Sequence, residues 1–459
     1  WQAGINPDGF CWKLECGDCF CTPEALLIYS AQGLGGMSRN YHDFLRKHVI
    51  RGKYKDKKRP ILINNWEATY FDFNTEKLLD IAQKASALGI EMLVMDDGWF
   101  GNRFDDNRAL GDWFVNEEKL PGGLKRLVDG VNALGMKFGI WFEPEMVSPE
   151  SQLYREHSDW AIAIPGRVPA KARNQYVLDF SRKEVVDGIW DRMKSILKSA
   201  NIEYVKWDMN RPLSDMGSMR LPAERQGELA HRYMLGVYEL QERLVAEFPD
   251  ILLENCSGGG ARFDAGMLYY SPQIWCSDDT DAIERLSIQE GTALLYPLSC
   301  IGAHVSDCPN HAVGRNTPFE TRGYVALAGT FGYELDVTRI PEEDYSRIPE
   351  QTQLYHKYND LIREGDYYRL ASYSENHKYD CWMVAAKDKS EALVTWIQVL
   401  GEANGHSRLI RLNGLDASAR YQIEGSDCTF GGDVLMYAGL PVERLWGDFA
   451  GKLIHLIRL

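Results

Sequence analysis

The sequence predicts an α/β protein, with a (β/α)8 TIM barrel followed by a C-terminal antiparallel β-sandwich. Through the middle of the chain, short apolar runs alternate with amphipathic segments of helical period, which is typical of parallel βαβ units. Eight such apolar runs can be counted. From about residue 367 the apolar runs are short, alternate with polar residues and are separated by turn signals, which is typical of a sandwich.

Composition excludes several classes of protein. The 459 residues are 45% hydrophobic, and they carry a formal charge of -15. Such a chain is long enough for more than one domain. An acidic surface repels phosphate backbones and the one basic run, residues 51–60, is short, so we expect no nucleic-acid partner. No window approaches the roughly 20 apolar residues that cross a bilayer, so we expect no membrane insertion.

The predicted strands occupy residues 61–67, 91–99, 137–145, 176–181, 204–210, 251–260, 273–279 and 297–307. After the first strand, residues 75–88 place their leucines and alanines on one face, and Gly89 follows as a helix C-cap. The gap between the sixth and seventh strands is short for a regular helix. One βα repeat is therefore expected to be degenerate.

Polar and aromatic side chains stand at the C-terminal ends of nearly all these strands: Trp66 and Glu67, Asp96 and Asp97, Trp141 and Glu143, Asp179, Asp208, Cys256, Asp278, and His304 with Asp307. In a barrel of this type the βα loops at the C-terminal mouth build the active site. Charge at the end of the apolar strand that contains Lys206 and Asp208 is therefore expected to be functional. The alternative is a structural ion pair of Asp208 with Lys206 or Arg211.

Carboxylates and tryptophans at one mouth favour carbohydrate chemistry, because a sugar offers hydroxyl groups to the former and an apolar face to the latter. The sequence has no glycine-rich phosphate loop, metal motif or nucleophile elbow. We therefore expect no cofactor. Glycoside cleavage needs two carboxyl groups, and Asp208 and Asp278 suit that task.

The ten cysteines are scattered, and several lie in apolar runs, which favours a reducing cytoplasm. The group Cys11, Cys16, Cys19 and Cys21 contains one C-x-x-C pair, but no second pair follows at the usual zinc spacing. We expect no metal site. The chain starts at Trp1 without a methionine, so a preceding segment, including any signal peptide, can be missing.

Seven segments, "NNWEATYFDF", "MDDGWFG", "FEPEMVSPES", "ARNQYVLDF", "YVKWDMNR", "ENCSGGGARFD" and "CSDDTDAIERLSIQEGT", resemble bacterial α-galactosidases of glycoside hydrolase family 36. The resemblance is strong over residues 25–340. It implies the end of an N-terminal β-rich domain at 1–50, a catalytic barrel at 51–350, and a linking helix with a β-sandwich at 351–459. Family members are often tetramers, so a homo-oligomer, a tetramer in the full-length protein, is expected.

The resemblance implies that Asp208 is the nucleophile and Asp278 the general acid/base. Lys206, on the same strand face as Asp208, would keep that carboxylate ionised. Asp279 and Asp281 would either raise the pKa of Asp278 by charge repulsion or serve as the N-cap of the next helix.

The resemblance also implies the sugar-binding residues. Asp96 and Asp97 would bind the axial 4-OH and the 6-OH of galactose. The other implied substrate contacts are Trp66, Trp141, Arg173, Lys206, Asn210, Cys256 and Gly258. His304 and His311 are expected to be structural.

The sequence thus predicts a retaining, exo-acting α-galactosidase that removes terminal α-1,6-linked galactose from melibiose- or raffinose-type oligosaccharides. Three alternatives stay open: an α-N-acetylgalactosaminidase, which needs room beside C2; a catalytically silent sugar-binding derivative of the fold; and a galactosyl transferase. The presence of both carboxylates with Lys206 disfavours the silent protein.

Overall fold

A computed structural model of the protein describes residues 3–405 and 407–459. Eight parallel strands form a closed barrel. In chain order they are β1 Leu62–Asn64, β2 Met92–Met95, β3 Lys137–Phe142, β4 Tyr204–Trp207, β5 Leu252–Asn255, β6 Gln273–Trp275, β7 Ile301–Ser306 and β8 Thr330–Glu334. Around the barrel they pair in the order β1-β8-β7-β6-β5-β4-β3-β2. The predicted barrel is confirmed.

One predicted barrel strand is wrong. Residues Tyr176–Val177 do form a strand, but it pairs antiparallel with Met146–Val147 in a separate two-stranded sheet. In the barrel, β3 pairs directly with β4. Asp179 therefore follows this two-stranded sheet rather than a barrel strand, and its carboxylate accepts hydrogen bonds from the hydroxyl groups of Ser181 and Ser218.

The barrel strand that the sequence analysis missed is β8, which pairs in parallel with β7 and β1. Gly332 lies opposite His304 in this pairing. A Cβ atom at position 332 would come within 2.6 Å of the His304 ring, so the strand needs a glycine there. That glycine weakens the apolar alternation by which strands are found in a sequence.

The helices that follow the eight barrel strands in order are Thr75–Ala87, Gly123–Ala133, Lys183–Ser199, Leu229–Glu247, Ala265–Leu268, Ala282–Ala293, Phe319–Ala326 and Ile348–Glu364. The helix after β5 has only four residues, so the expected degenerate repeat is confirmed. Gly89, with φ of 87°, lies just beyond the first of these helices. Further helical segments are Gly33–Phe44, Leu45–Val49, Trp66–Thr69, Gln152–Glu156, Ser158–Trp160, Ala223–Glu228, Leu298–Cys300 and Glu342–Tyr345.

The C-terminal strands are antiparallel, as predicted. They are β9 Asp366–Ala371, β10 Tyr379–Ala385, β11 Glu391–Gln398, β12 Arg408–Ile410, β13 Arg420–Ile423, β14 Thr429–Gly431, β15 Leu440–Val442 and β16 Ala450–Arg458. Six of them form one sheet, β9-β10-β11-β16-β13-β14, while β12 and β15 form a second sheet. Side chains of both sheets share one core, and short helices at Tyr373–Asn376 and Gly432–Tyr437 complete the region.

The chain divides into two compact units. The first unit comprises residues 3–29, 69–79 and 94–258, and the second comprises residues 30–68, 80–93 and 259–459. Within the described residues, we find no helix with the length and apolar character that crossing a membrane requires.

Candidate active site

Asp208 directly follows β4 in the first unit and is only 6% exposed. Its Oδ2 accepts hydrogen bonds from Asn210 Nδ2 at 2.7 Å and Trp141 Nε1 at 3.2 Å. Its Oδ1 accepts from the backbone N–H groups of Met209 at 2.8 Å and Gly258 at 3.4 Å. The structure therefore brings three of the predicted site residues, Asn210, Trp141 and Gly258, to this one carboxyl group.

The electrostatics keep the Asp208 carboxyl group ionised. Burial alone would raise its pKa, but the charge of Lys206 and hydrogen bonds from Cys256, Asn210 and Met209 outweigh burial, so the pKa lies below its usual value. An ionised carboxylate held by several donors is a group that can attack an electrophilic carbon.

Lys206 lies on β4 and also reaches the end of β2. Its Nζ donates a hydrogen bond to Asp96 Oδ2 at 2.9 Å, and both side chains are buried. Asp96 Oδ1 accepts from the backbone N–H of Asp97 at 2.9 Å. The pair predicted to bind sugar hydroxyls is thus connected to the Asp208 environment through a buried lysine.

Asp97 is held by an arginine that sequence reasoning missed. Arg103 donates from Nε to Oδ1 at 3.0 Å and from Nη2 to Oδ2 at 2.8 Å. Burial raises the pKa of Asp97, although the charge of Arg103 opposes this. A bidentate pair of this kind fixes the orientation of the carboxylate plane.

Lys119 braces the same loop and was also missed. Its Nζ donates to the carbonyl oxygens of Phe71 and Gly98 at 2.8 Å each and of Arg103 at 3.0 Å, and burial lowers its pKa to about 8. The signal that could have drawn attention to this region is loop length. Residues 96–122 connect β2 to its helix, and long βα loops in compact domains are usually functional.

Glu143 follows β3 and is 1% exposed. Its Oε1 accepts hydrogen bonds from the backbone N–H of Asn210 at 2.6 Å and from Gln175 Nε2 at 3.2 Å. Burial and the negative charge of Asp208 raise its pKa to about 8. Glu143 was predicted to stand at a strand end, but no role was predicted for it.

Arg173 is exposed, on a tight turn between Ala172 and Gln175. Arg173 has φ of 47° and Asn174 has φ of 59°, so both central residues of the turn are left-handed. The structure thus puts Arg173 at a turn tip, whereas the other predicted first-unit residues surround buried Asp208 and Asp96.

In the second unit, Asp278 follows β6 and is exposed. Its Oδ1 accepts a hydrogen bond from Trp275 Nε1 at 3.0 Å. The guanidinium group of Arg285 donates to the carbonyl oxygens of Ser277 at 2.7 Å and Asp279 at 2.6 Å. The loop is therefore anchored on both sides of a solvent-accessible carboxyl group.

The N-cap alternative is confirmed for Asp281. Its Oδ1 accepts from the backbone N–H groups of Ile283 and Glu284 at 3.0 Å each, at the start of helix Ala282–Ala293, and it pairs with Arg315. Asp279 Oδ1 accepts from the N–H of Asp281 at 3.0 Å. Both carboxylates hold the turn that leads into the helix.

Trp66, the other predicted residue of the second unit, is half-buried at the start of Trp66–Thr69. The adjacent Glu67 accepts from Thr280 Oγ1 at 2.8 Å and contacts His311 Nδ1 at 3.4 Å. The hydrogen bond to Glu67 raises the pKa of His311. His304 Nδ1 lies 3.2 Å from Glu334 Oε1, and both residues are buried.

The cysteines are free thiols. Cys11, Cys16, Cys19 and Cys21 are exposed, whereas Cys256 is buried beside Asp208. In the part of the chain that the structure describes, no group of three histidine, cysteine or acidic residues is placed to hold a metal ion.

Known proteins share both parts of this architecture. The melibiase family model matches residues 19–365, and the model of the glycosyl hydrolase family 36 C-terminal domain matches residues 379–456. The fold class is that of the crystal structure of the α-galactosidase AgaA of Geobacillus stearothermophilus, with a TM-score of 0.97 over 99% of this chain and 63% of that chain. The chain belongs to the melibiase family.

Two curated relatives show how much of the length is shared. AgaA is 53% identical over 455 residues, which cover 99% of this chain and 62% of AgaA. The α-galactosidase Mel36A of Lactobacillus acidophilus is 51% identical over 456 residues, again 99% of this chain and 62% of the relative. This chain therefore spans less than two thirds of these relatives. A structure of an AgaA variant in complex with raffinose has a TM-score of 0.98.

Proposed function

We propose that the protein is a retaining α-galactosidase that hydrolyses terminal α-1,6-linked galactose from raffinose- and melibiose-type oligosaccharides. The observation that supports this most strongly is the state of Asp208, a buried carboxylate kept ionised by Lys206 and several hydrogen-bond donors. The names of the two relatives and the raffinose complex of AgaA support the substrate class. Neither relative is named as an N-acetylgalactosaminidase.

In the proposed mechanism, a carboxylate oxygen of Asp208 attacks C1 of galactose while the bond from C1 to the departing oxygen breaks. Asp278 transfers its proton to that oxygen. Asp278 then takes a proton from water, whose oxygen attacks C1 and displaces Asp208. Two inversions give net retention. The exposure of Asp278 suits a group that must exchange protons with an incoming water molecule.

We further propose that Asp96 and Asp97 bind the axial 4-OH and the 6-OH of galactose. Trp66, Trp141, Arg173, Lys206, Asn210, Cys256 and Gly258 complete the proposed substrate contacts. The fixed orientation of Asp97 by Arg103 supports a role in discrimination, because a preoriented acceptor rejects a sugar whose hydroxyl group points elsewhere.

A substrate panel tests this function. Hydrolysis of nitrophenyl α-galactoside is measured beside the α-glucoside and the N-acetyl-α-galactosaminide, and sugar released from raffinose is separated from transfer products. We expect cleavage of the α-galactoside and raffinose with little cleavage of the other two. Comparable cleavage of all three nitrophenyl glycosides would contradict the roles of Asp96 and Asp97, and a dominant transfer product would favour the transferase.

We also propose a cytoplasmic location and a homotetramer for the full-length protein. Exposed free thiols such as Cys16 and Cys428 support a reducing compartment. The proposed domain limits, a catalytic barrel at 51–350 and a C-terminal domain from 351, are tested by limited proteolysis. Sedimentation velocity of the full-length protein tests the tetramer, and a stable monomer would exclude it.

A further inference from the structure

Arg211, the residue directly after the "KWDMN" motif that contains Asp208, makes several hydrogen bonds through its guanidinium group. It is 5% exposed, and its guanidinium Nη1 donates to the carbonyl oxygens of Ala170 at 2.8 Å and Gln175 at 2.9 Å. Nη2 donates to Ser214 Oγ at 2.7 Å. Nη1 of this buried arginine therefore binds carbonyl oxygens on both sides of the Arg173 turn, while Nη2 and Nε, the latter donating to Pro212 O at 3.0 Å, bind its own loop.

That turn is energetically demanding. Both Arg173 and Asn174 have positive φ, and the turn closes with a hydrogen bond from Gln175 N to Ala172 O at 3.1 Å. Left-handed backbone costs about 1 kcal/mol or more for a residue such as arginine, and it persists where the surroundings impose it. On the Gln175 side of the turn, Arg211 binds the carbonyl oxygen of Gln175, and Glu143 accepts a hydrogen bond from its side-chain amide.

Glu143 connects the turn to Asp208. One carboxyl oxygen accepts both from Gln175 Nε2 at 3.2 Å and from the backbone N–H of Asn210 at 2.6 Å. Asn210 in turn donates from Nδ2 to Asp208 at 2.7 Å. A continuous chain of hydrogen bonds therefore runs from the turn to the carboxylate.

We propose that Arg211 is a positioning residue for substrate recognition: it holds the turn that presents Arg173, and Glu143 ties this turn to Asn210 and Asp208. The inference rests on the proposed function only in its assumption that Arg173 contacts the sugar. Arg211 acts through the backbone of the turn, so its removal should weaken substrate binding more than the chemical step.

A double-mutant cycle tests the proposal. The values of kcat/KM for nitrophenyl α-galactoside are measured for Arg173→Ala, Arg211→Lys and the double variant. Lysine keeps the charge but cannot bind several oxygens in the fork geometry of arginine. If Arg211 acts through Arg173, each single variant loses activity mainly through KM, and the double variant loses no more than about two-fold beyond the worse single variant. Losses that multiply would overturn the proposal.

Hydrogen exchange supplies a readout that needs no substrate. In Arg211→Lys, the amide of Gln175 should exchange at least about ten-fold faster, while the amides of β4 keep their protection. Unchanged exchange at Gln175 would overturn the proposal even if activity fell. Faster exchange in a protein that cleaves no α-galactoside would instead refute the proposed function alone. The matched control is Arg126→Ala, an exposed arginine of the same unit paired with Glu76, which should change neither measurement.

Discussion

The ammonium nitrogen of Lys206 lies 2.9 Å from Oδ2 of Asp96, and both side chains are more than nine-tenths buried. The same lysine lowers the pKa of Asp208. One cation therefore serves two carboxylates, the proposed sugar-binding Asp96 and the proposed nucleophile. Buried charges of opposite sign that share contacts in this way stabilise each other's ionised forms.

Replacing Lys206 should shift the pH dependence of catalysis. Lys206→Met removes the positive charge that keeps the pKa of Asp208 low, so the acidic limb of the kcat/KM profile should move to higher pH. The profile is measured with nitrophenyl α-galactoside. Lys125→Met, an exposed lysine paired with Asp129, is the control and should leave the limb in place. If the acidic limb stays in place in Lys206→Met, the charge of Lys206 does not control the pKa of Asp208.

Breaking the Asp97–Arg103 pair should destabilise the fold. Arg103→Ala leaves a buried carboxylate without its bidentate partner, and we expect a loss of roughly 3–5 kcal/mol in the free energy of unfolding. Urea denaturation measures this. Arg108→Ala removes a half-buried arginine from an i,i+3 pair with Asp105 and should cost less than about 1 kcal/mol. Equal losses in the two variants would mean that the buried pair contributes no more to the free energy of unfolding than the Arg108 pair does.

Glu143 should make stability fall as pH rises. Its pKa is about 8 in the folded protein against an ordinary value of 4.5, so between these values the folded state binds a proton that the unfolded state has lost. The contribution of the neutral group is complete below about pH 4.5 and disappears as pH rises through about 8. Glu143→Gln should therefore flatten the decline in thermal stability between pH 5 and pH 8.

Other carboxyl groups with raised pKa values do not affect the comparison of wild type with Glu143→Gln. Asp380, whose pKa burial raises to about 7, is present in both proteins, so the difference between the two stability curves reports Glu143. If the difference between wild type and Glu143→Gln is the same at pH 5 as at pH 8, Glu143 is not a buried neutral acid.

Two helical glycines should respond oppositely to alanine. In Gly236→Ala the new Cβ atom would stand 2.0 Å from the carbonyl oxygen of Phe180, so the helix must move and stability should fall by several kcal/mol. In Gly291→Ala the Cβ atom meets nothing within 4 Å, and alanine should stabilise the helix by about 0.5–1 kcal/mol. Urea denaturation of both variants checks the signs, and destabilisation of the Gly291 variant would contradict the packing described here.

The sequence was most informative where one signal dominates. Buried strands such as β3 and β4 were found because both faces of a parallel sheet are covered, so their residues form nearly continuous apolar runs. Residues 176–181 were wrongly assigned to the barrel, because alternation indicates a strand but not its partner. Tyr176–Val177 pairs with Met146–Val147 outside the barrel. The strand β8 was hidden because it needs Gly332 beside His304.

Site residues at the ends of barrel strands could be predicted from the sequence. Site residues within long loops that fold back to those strand ends could not. Asp96, Lys206 and Asp208 follow or lie on barrel strands, whose C-terminal ends are known to meet. Arg103 and Lys119 reach the same region from within a long loop, whose path depends on tertiary contacts that no local pattern encodes.

The assignment of Asp208 as the nucleophile is tested most directly by azide rescue of Asp208→Ala with nitrophenyl α-galactoside. Asp129→Ala, an exposed carboxylate of the same unit, is the control and should keep full activity. Without azide, Asp208→Ala should be inactive, because no glycosyl-enzyme can form; with azide, turnover should return and the product should be β-galactosyl azide. Rescued turnover that gives α-galactosyl azide, or substantial activity without azide, would contradict the assignment.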